Sequence, residues 1–241
     1  MIKAIFFDLY GTLAGFFPSR FEIQSQACMQ FNITLTEEGV IKGYKKADEH
    51  MTNQNALYPI RNRTPQEIND FFSEYESLVL EGCGINVDLD TATLIWKEIK
   101  KIPYEMKLFD DVVETLKNLR NKKLILAVIS NIHKPGVELL KEFELTEYID
   151  FSVTSYEAGS EKPHPPIFEE ALRRALVTSN EVFHVGDQIG SDIEGAENAN
   201  IAPILMDRDS NYDDWDLIRC PRVSNMLELE RTLNDFGRKT Q

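Results

Sequence analysis

The chain has 241 residues, 42% of them hydrophobic and 27% charged, enough for one sizeable globular domain or a domain carrying a substantial insert. Its 40 acidic residues against 26 basic ones leave a formal charge of −14. Such a surface repels a phosphate backbone, and no concentrated basic patch offsets it, so nucleic acid is excluded as an expected partner.

Three widely spaced cysteines, Cys28, Cys83 and Cys220, suit neither a disulfide framework nor a zinc site and point to a reducing compartment. No signal peptide is expected ahead of the first strand. No apolar run approaches the roughly 18 residues that a membrane span needs. The expectation is a cytoplasmic protein with no membrane partner.

The first element is the short apolar run Ala4-Ile5-Phe6-Phe7, the mark of a strand covered on both faces. It ends abruptly at Asp8. From about residue 15 to residue 103 buried-strand runs are absent, and helical periodicities take their place. They are Phe21/Cys28/Phe31, Ile68/Phe71/Phe72/Tyr75/Leu78/Val79 and Leu94/Ile95/Ile99. The polar stretch 53–63 is expected to be a loop.

From about residue 105 strands and helices alternate. Val112, Val113, Leu116 and Leu119 form a stripe after the acidic turn Asp110-Asp111. The runs 124–129, 182–185 and 202–206 are buried strands, and 151–154 is a weaker one. Ile167, Phe168, Ala171, Leu172 and Ala175 follow Pro165-Pro166, which suits a helix start, and Ile189, Ile193 and Ala196 make a third stripe. The expected fold class is α/β, a doubly wound parallel sheet built from 1–14 and 105–241, with a mainly α-helical insert over 15–104. Ligands of such sheets bind at the carboxyl ends of the strands, so an insert directly behind Asp8 would lie over the site as a cap.

The polar residues fall where that frame would gather them. Asp8 follows the first strand; Ser130 and Asn131 follow the run 124–129; Gly186 and Asp187 follow 182–185; Asp192 comes five residues later. Lys162, in Gly-Ser-Glu-Lys-Pro, precedes the helix that starts near Pro165. Carboxylates, a hydroxyl, an amide and an amine suit a magnesium ion with a phosphoryl group. A carboxylate at a strand tip can serve as a nucleophile.

Together the pieces Asp8-Leu-Tyr-Gly-Thr12-Leu, Ser130-Asn131, Lys162-Pro163 and Gly186-Asp187-Gln-Ile-Gly-Ser-Asp192 resemble the four motifs of the haloacid dehalogenase superfamily, in order and spacing. The insert resembles the helical cap many members carry. The resemblance implies Asp8 as nucleophile, with Thr12, Ser130 and the Asn131 backbone on the transferred group and Lys162 bridging that group and Asp8. It implies Mg2+ held by Asp8, Asp187 and the Tyr10 carbonyl, with Asp192 beside them, and Gly11 shaping the loop so that Thr12 can approach. The implied activity is hydrolysis of a small anionic substrate.

Position 10 departs from the family's phosphatases, where a second Asp protonates the leaving group. An unperturbed phenol titrates near pH 10 and is a poor replacement. Losing a general acid typically costs about 10²–10⁴ in rate. The family's dehalogenases resemble this chain in carrying Tyr there, but they replace the Gly-Asp pair that this chain keeps at 186–187. Three readings stay open: a magnesium-dependent phosphatase, a dehalogenase-type hydrolase, and a weak or inactive binding protein on the same fold.

Other readings are weaker. No G-x-G-x-x-G or G-x-x-x-x-G-K-[ST] occurs, and a phosphoacceptor receiver would need an acidic pair after the first strand. His184, inside a strand, reads as a hydrogen-bonded core residue, and His133 as a possible substrate contact. Asp192 has an alternative role as the cap of the helix that follows. Phe16, Phe17 and Arg20 could line an entrance; Arg61 and Arg63 could anchor an anion or pair with surface acids.

Overall fold

A computed structural model of the chain describes residues 1–212 and 219–239, the last four of these by backbone alone. It divides into two compact units: Met1–Gly15 with Lys107–Gln241, and Phe16–Met106.

The first unit is built on a six-stranded sheet. Its strands are β1 (Ala4–Phe7), β4 (Ile125–Ser130), β5 (Phe151–Thr154), β6 (Val182–Gly186), β7 (Ala202–Met206) and β8 (Arg222–Val223), in the order β5-β4-β1-β6-β7-β8. Every pair is parallel. The apolar runs explain this: parallel strands need cover on both faces, and all four residues of β1 are wholly buried. One face, with Phe6, Ala127, Ile129 and Val153, packs on Ile167, Phe168 and Ala171 of α8 (Pro165–Ala175). On the other face Ile5, Phe7, Leu126 and Val128 are equally buried. Each such side chain contributes roughly 1.5–3 kcal/mol.

The remaining helices of this unit are α5 (Val112–Asn121), α6 (Gly136–Glu142), α7 (Ser155–Ala158), α9 (Gly195–Asn198) and α10 (Met226–Lys239). The register pairs Phe7 with Val128 and with Val185. The residues that follow these three therefore emerge at one sheet edge. Connections run from β1 toward β4 and β5 on one side and through β6 to β7 and β8 on the other, so β1 lies at the switch point where open α/β sheets bind ligands.

The second unit is helical: α1 (Arg20–Met29), α2 (Glu37–Leu57), α3 (Pro65–Gly82) and α4 (Leu89–Ile99). Ser19, Thr36, Thr64 and Asp88 each accept a backbone N–H of the turn they open, and Ser19 and Thr64 complete reciprocal boxes with Glu22 and Glu67. Its apolar core joins Ile23, Ala27, Val40, Leu80, Ile95 and Ile99. Beside that core lies a buried polar network. The Gln24 amide donates to Glu76, and Tyr44 Oη donates to Gln24 Oε1 at 3.0 Å. Tyr75 Oη reaches Asp48 at 2.5 Å, and Arg20 pairs with Asp48 at 2.7 Å.

Several local expectations change. The stretch 53–63 is not all loop: α2 continues to Leu57, because no glycine or proline stops it until Pro59 bars the turn before it. Two strands are unexpected: β2 (Ala14–Phe17) pairs with β3 (Glu105–Leu108) in a two-stranded sheet too short to register as an apolar run. The stripe Ile189/Ile193/Ala196 is a π-helical turn, Ile189–Glu194, running into the four-residue α9. Among the described residues no helix is long and apolar enough to cross a membrane.

Candidate active site

Asp8 is the residue after β1, and its N–H donates to Val185 O at 2.8 Å, which extends the β1–β6 ladder one step. The loop behind it is tight: Leu13 and Ala14 both donate to Leu9 O at 2.8 Å, and Gly11 donates to Ala14 O at 2.7 Å. Gly11 has φ +89, which side chains rarely adopt, and a Cβ there would lie 2.3 Å from Asp187 Oδ2. Glycine is thus needed for the turn and for its close approach to Asp187. The loop buries Thr12 completely, with the hydroxyl lacking a hydrogen-bond partner. An unpaired buried hydroxyl is costly, so a ligand oxygen there would relieve it.

Lys162 joins the two halves of the cluster. Its ammonium, almost wholly buried, donates to Asp8 Oδ1 at 2.5 Å and to Asp192 Oδ1 at 2.6 Å. Asn131 fixes the lysine's backbone from both sides: its Nδ2 donates to Lys162 O at 2.9 Å and its Oδ1 accepts Lys162 N–H at 2.7 Å. The Asn131 side chain is therefore engaged with the Lys162 peptide, and only its backbone remains for a substrate. Ser130 ends β4 and is 1% exposed.

Asp192 does not cap the helix behind it. Its Oδ1 also faces His184 Nε2 at 3.0 Å, and its Oδ2 accepts Gln188 N–H at 3.1 Å. The π-helical turn, a form often found at functional sites, folds the carboxylate back toward the sheet. His184 is the hydrogen-bonded core residue its strand position suggested, packed edge-on against Phe168. Burial depresses its imidazolium and leaves the ring neutral. Since a carboxylate only accepts, Nε2 carries the proton.

The charges follow from this packing. Burial lifts the Asp8 carboxyl to about 6, against the pull of the Lys162 ammonium. At Asp192 burial acts the same way, but Lys162 and the His184 N–H outweigh it and keep that carboxyl below the usual range. Burial would lower Lys162, yet Asp192 and Asp8 together hold it above its ordinary value.

Asp8, Asp187 and Asp192 offer oxygens that all lie within 4.8 Å of one another. Three carboxylates face one ammonium, an all-oxygen donor set with excess negative charge, and magnesium fits such a set. Both Asp192 oxygens are already engaged, by Lys162, His184 and the Gln188 N–H.

Tyr10 is half-buried, its ring edge-on to Phe143 at 5.9 Å. His133 packs edge-on against Tyr156, 5.0 Å between centroids. Phe17 is 56% exposed. Arg20 is taken up by Asp48 and the faces of Phe16 and Tyr44. Arg63 donates to Tyr58 O and lies over Phe71. Arg208, which sequence reasoning passed over, donates to Thr12 O at 2.9 Å. The available signal was its place just past the buried run 202–206.

Known proteins resemble the chain along nearly its whole length. Glyceraldehyde 3-phosphate phosphatase of Methanopyrus kandleri is 28% identical over 243 residues, 97% of this chain and 99% of that one. The enzyme of the same name from Methanothermobacter thermautotrophicus is 30% identical over 210 residues, 86% of each chain. The crystal structure of 2-haloacid dehalogenase from Pseudomonas syringae pv. tomato DC3000 superposes with a TM-score of 0.56 at 25% identity, covering 98% of this chain and 100% of that one. The family model for haloacid dehalogenase-like hydrolases matches residues 5–206. A match from inside β1 to the end of β7 takes in every residue of the carboxylate cluster, and the protein is a hydrolase belonging to the haloacid dehalogenase-like family.

Proposed function

We propose that the protein is a magnesium-dependent, cytoplasmic phosphatase of a small phosphorylated metabolite, acting through an aspartyl-phosphate on Asp8. The observation that carries this reading is Asp187 beside Asp8. A second carboxylate at the nucleophile repels an anionic substrate unless a cation stands between them. The phosphatase names of the two archaeal relatives support it and make a triose-phosphate-sized monoester the first substrate to try.

In this mechanism Asp8 attacks phosphorus, the bond to the leaving oxygen breaks, and water then cleaves the acyl phosphate and restores the carboxylate. Lys162, already on Asp8, offsets charge on the transferring group, and Ser130 and Thr12 donate their hydroxyls to its oxygens, with the Asn131 backbone alongside. Asp8, Asp187 and the Tyr10 carbonyl would hold Mg2+, which when bound would offset the negative charge of the phosphoryl group. Asp192 supports the site by holding Lys162. The helical unit serves as a cap that selects the remainder of the substrate.

Tyr10 leaves no ready proton donor for the leaving group. Turnover is therefore expected to favour aryl and acyl phosphates over alkyl ones, and equal rates at matched binding would sink that expectation. The test is hydrolysis of an aryl phosphate and of glyceraldehyde 3-phosphate, with magnesium and with chelator, using Asp8→Asn as control. Magnesium-dependent turnover that vanishes in Asp8→Asn supports the reading; turnover unaffected by chelator overturns it.

Tyr10 favours a second reading, dehalogenation, because a halide leaves without a proton. Halide release from 2-haloacids, with phosphate esters inert, would establish that alternative.

A further inference from the structure

We infer that Arg208 is a positioning residue for the loop that presents Thr12. Its effect on turnover rests on the phosphoryl-transfer reading; its geometry does not. Arg208 stands two residues beyond β7. Its Nε donates to Thr12 O at 2.9 Å, while Nη1 and Nη2 form a fork on the Asp111 carboxylate at 3.1 and 3.0 Å. Its guanidinium lies 4.0 Å from the centre of the Phe109 ring. Both charged side chains are largely buried, 13% and 17% exposed.

The anchors are themselves fixed. Asp111 Oδ2 also accepts the Met226 N–H at the start of α10, at 2.8 Å, and Phe109 N–H donates to Leu13 O at 3.0 Å. The guanidinium thus ties the Asp8 loop to the starts of α5 and α10. A planar fork with a third donor and a stacking face meets these demands together, and a lysine ammonium cannot.

Thr12 makes this matter. Its hydroxyl is buried without a hydrogen-bond partner, so no hydrogen bond of the side chain helps to orient it before a ligand arrives. The carbonyl bond to Arg208 adds to the loop's own backbone bonds and holds Thr12 directly. A misplacement of about 1 Å in a transfer site can cost about 100-fold in rate.

The experiment compares the full chain with Arg208→Lys, Arg208→Ala and, as control, Arg173→Ala, whose pair with Glu170 lies on an exposed face of α8. Two quantities are read: kcat and KM on an aryl phosphate with magnesium, and amide hydrogen exchange of residues 9–14 and 4–7. The inference expects kcat to fall about 10- to 100-fold in Arg208→Lys with KM within about twofold. It also expects faster exchange at residues 11, 13 and 14, with β1 unchanged. The control should alter neither.

Unchanged exchange in the loop would overturn the inference whatever the activity does, and so would faster exchange with kcat intact. Should Arg208→Ala fail to fold, Arg208→Lys still decides. A wild-type chain inactive on every phosphate ester would count against the phosphatase reading alone, leaving the exchange of residues 9–14 to judge the anchor.

Discussion

At the scale of single residues the site is a set of paired constraints. Asn131 shows this best, with both ends of its amide on the Lys162 peptide. Asn131→Ala removes two hydrogen bonds and is expected to cost about 1–3 kcal/mol in chemical denaturation, with a larger loss in kcat than in binding as Lys162 loses its register. Tyr10 is the other informative residue. If its position is that of the missing acid, Tyr10→Asp should raise kcat on alkyl phosphates, by up to about 100-fold, and leave aryl phosphates nearly unchanged. Equal gains on both classes would show that proton donation was not what position 10 lacked. The residue types and their order were legible in the sequence because each chemical role needs one side-chain type at a strand end. Their partners were not: Asn131 with Lys162, and Arg208 with Thr12, are 31 and 196 residues apart.

Elements were legible where one force decided them. The buried strands β1, β4, β6 and β7 announce themselves as apolar runs because both of their faces are covered. α3 does so through its stripe, and α8 through its stripe and starting prolines. Elements whose form depends on neighbours stayed hidden: β2 and β3, and the π-helical turn that bends Asp192 back onto Lys162. The packing of α2 on α3 belongs here too. A Cβ at Gly43 would lie 2.1 Å from Val79 O, so the helices meet backbone to backbone. Gly43→Ala is expected to push them apart and lower stability by about 1–3 kcal/mol despite alanine's better helix propensity, as read by thermal unfolding.

For the whole molecule, stability should depend on pH through a buried carboxyl of the helical unit. Burial lifts Glu76 to about 8, while its Gln24 partner pulls the other way. A carboxyl raised in the folded state favours folding fully below its unfolded value of 4.5. That contribution is lost as pH climbs through about 8, where the unfolded chain has long been ionised and the folded one resists it. The wild-type melting temperature should therefore fall between those values, and Glu76→Gln should flatten the decline; parallel curves would remove Glu76 as its cause. Magnesium should raise the melting temperature by mass action and Asp187→Asn should abolish that gain, a result readable without any substrate.

By itself the sequence determined the α/β class, the helical character of the insert and the side-chain types of the cluster, because burial of apolar runs and the identity of each side chain are local facts written one residue at a time. Only the tertiary structure decided how the charges are shared. Lys162 lies between Asp8 and Asp192 at 2.5 and 2.6 Å, and both Asp192 oxygens are taken by Lys162, His184 and the Gln188 N–H. Electrostatic energy and hydrogen bonding depend on distances across the sheet, and those distances exist only once β1, β4 and β6 have paired in register.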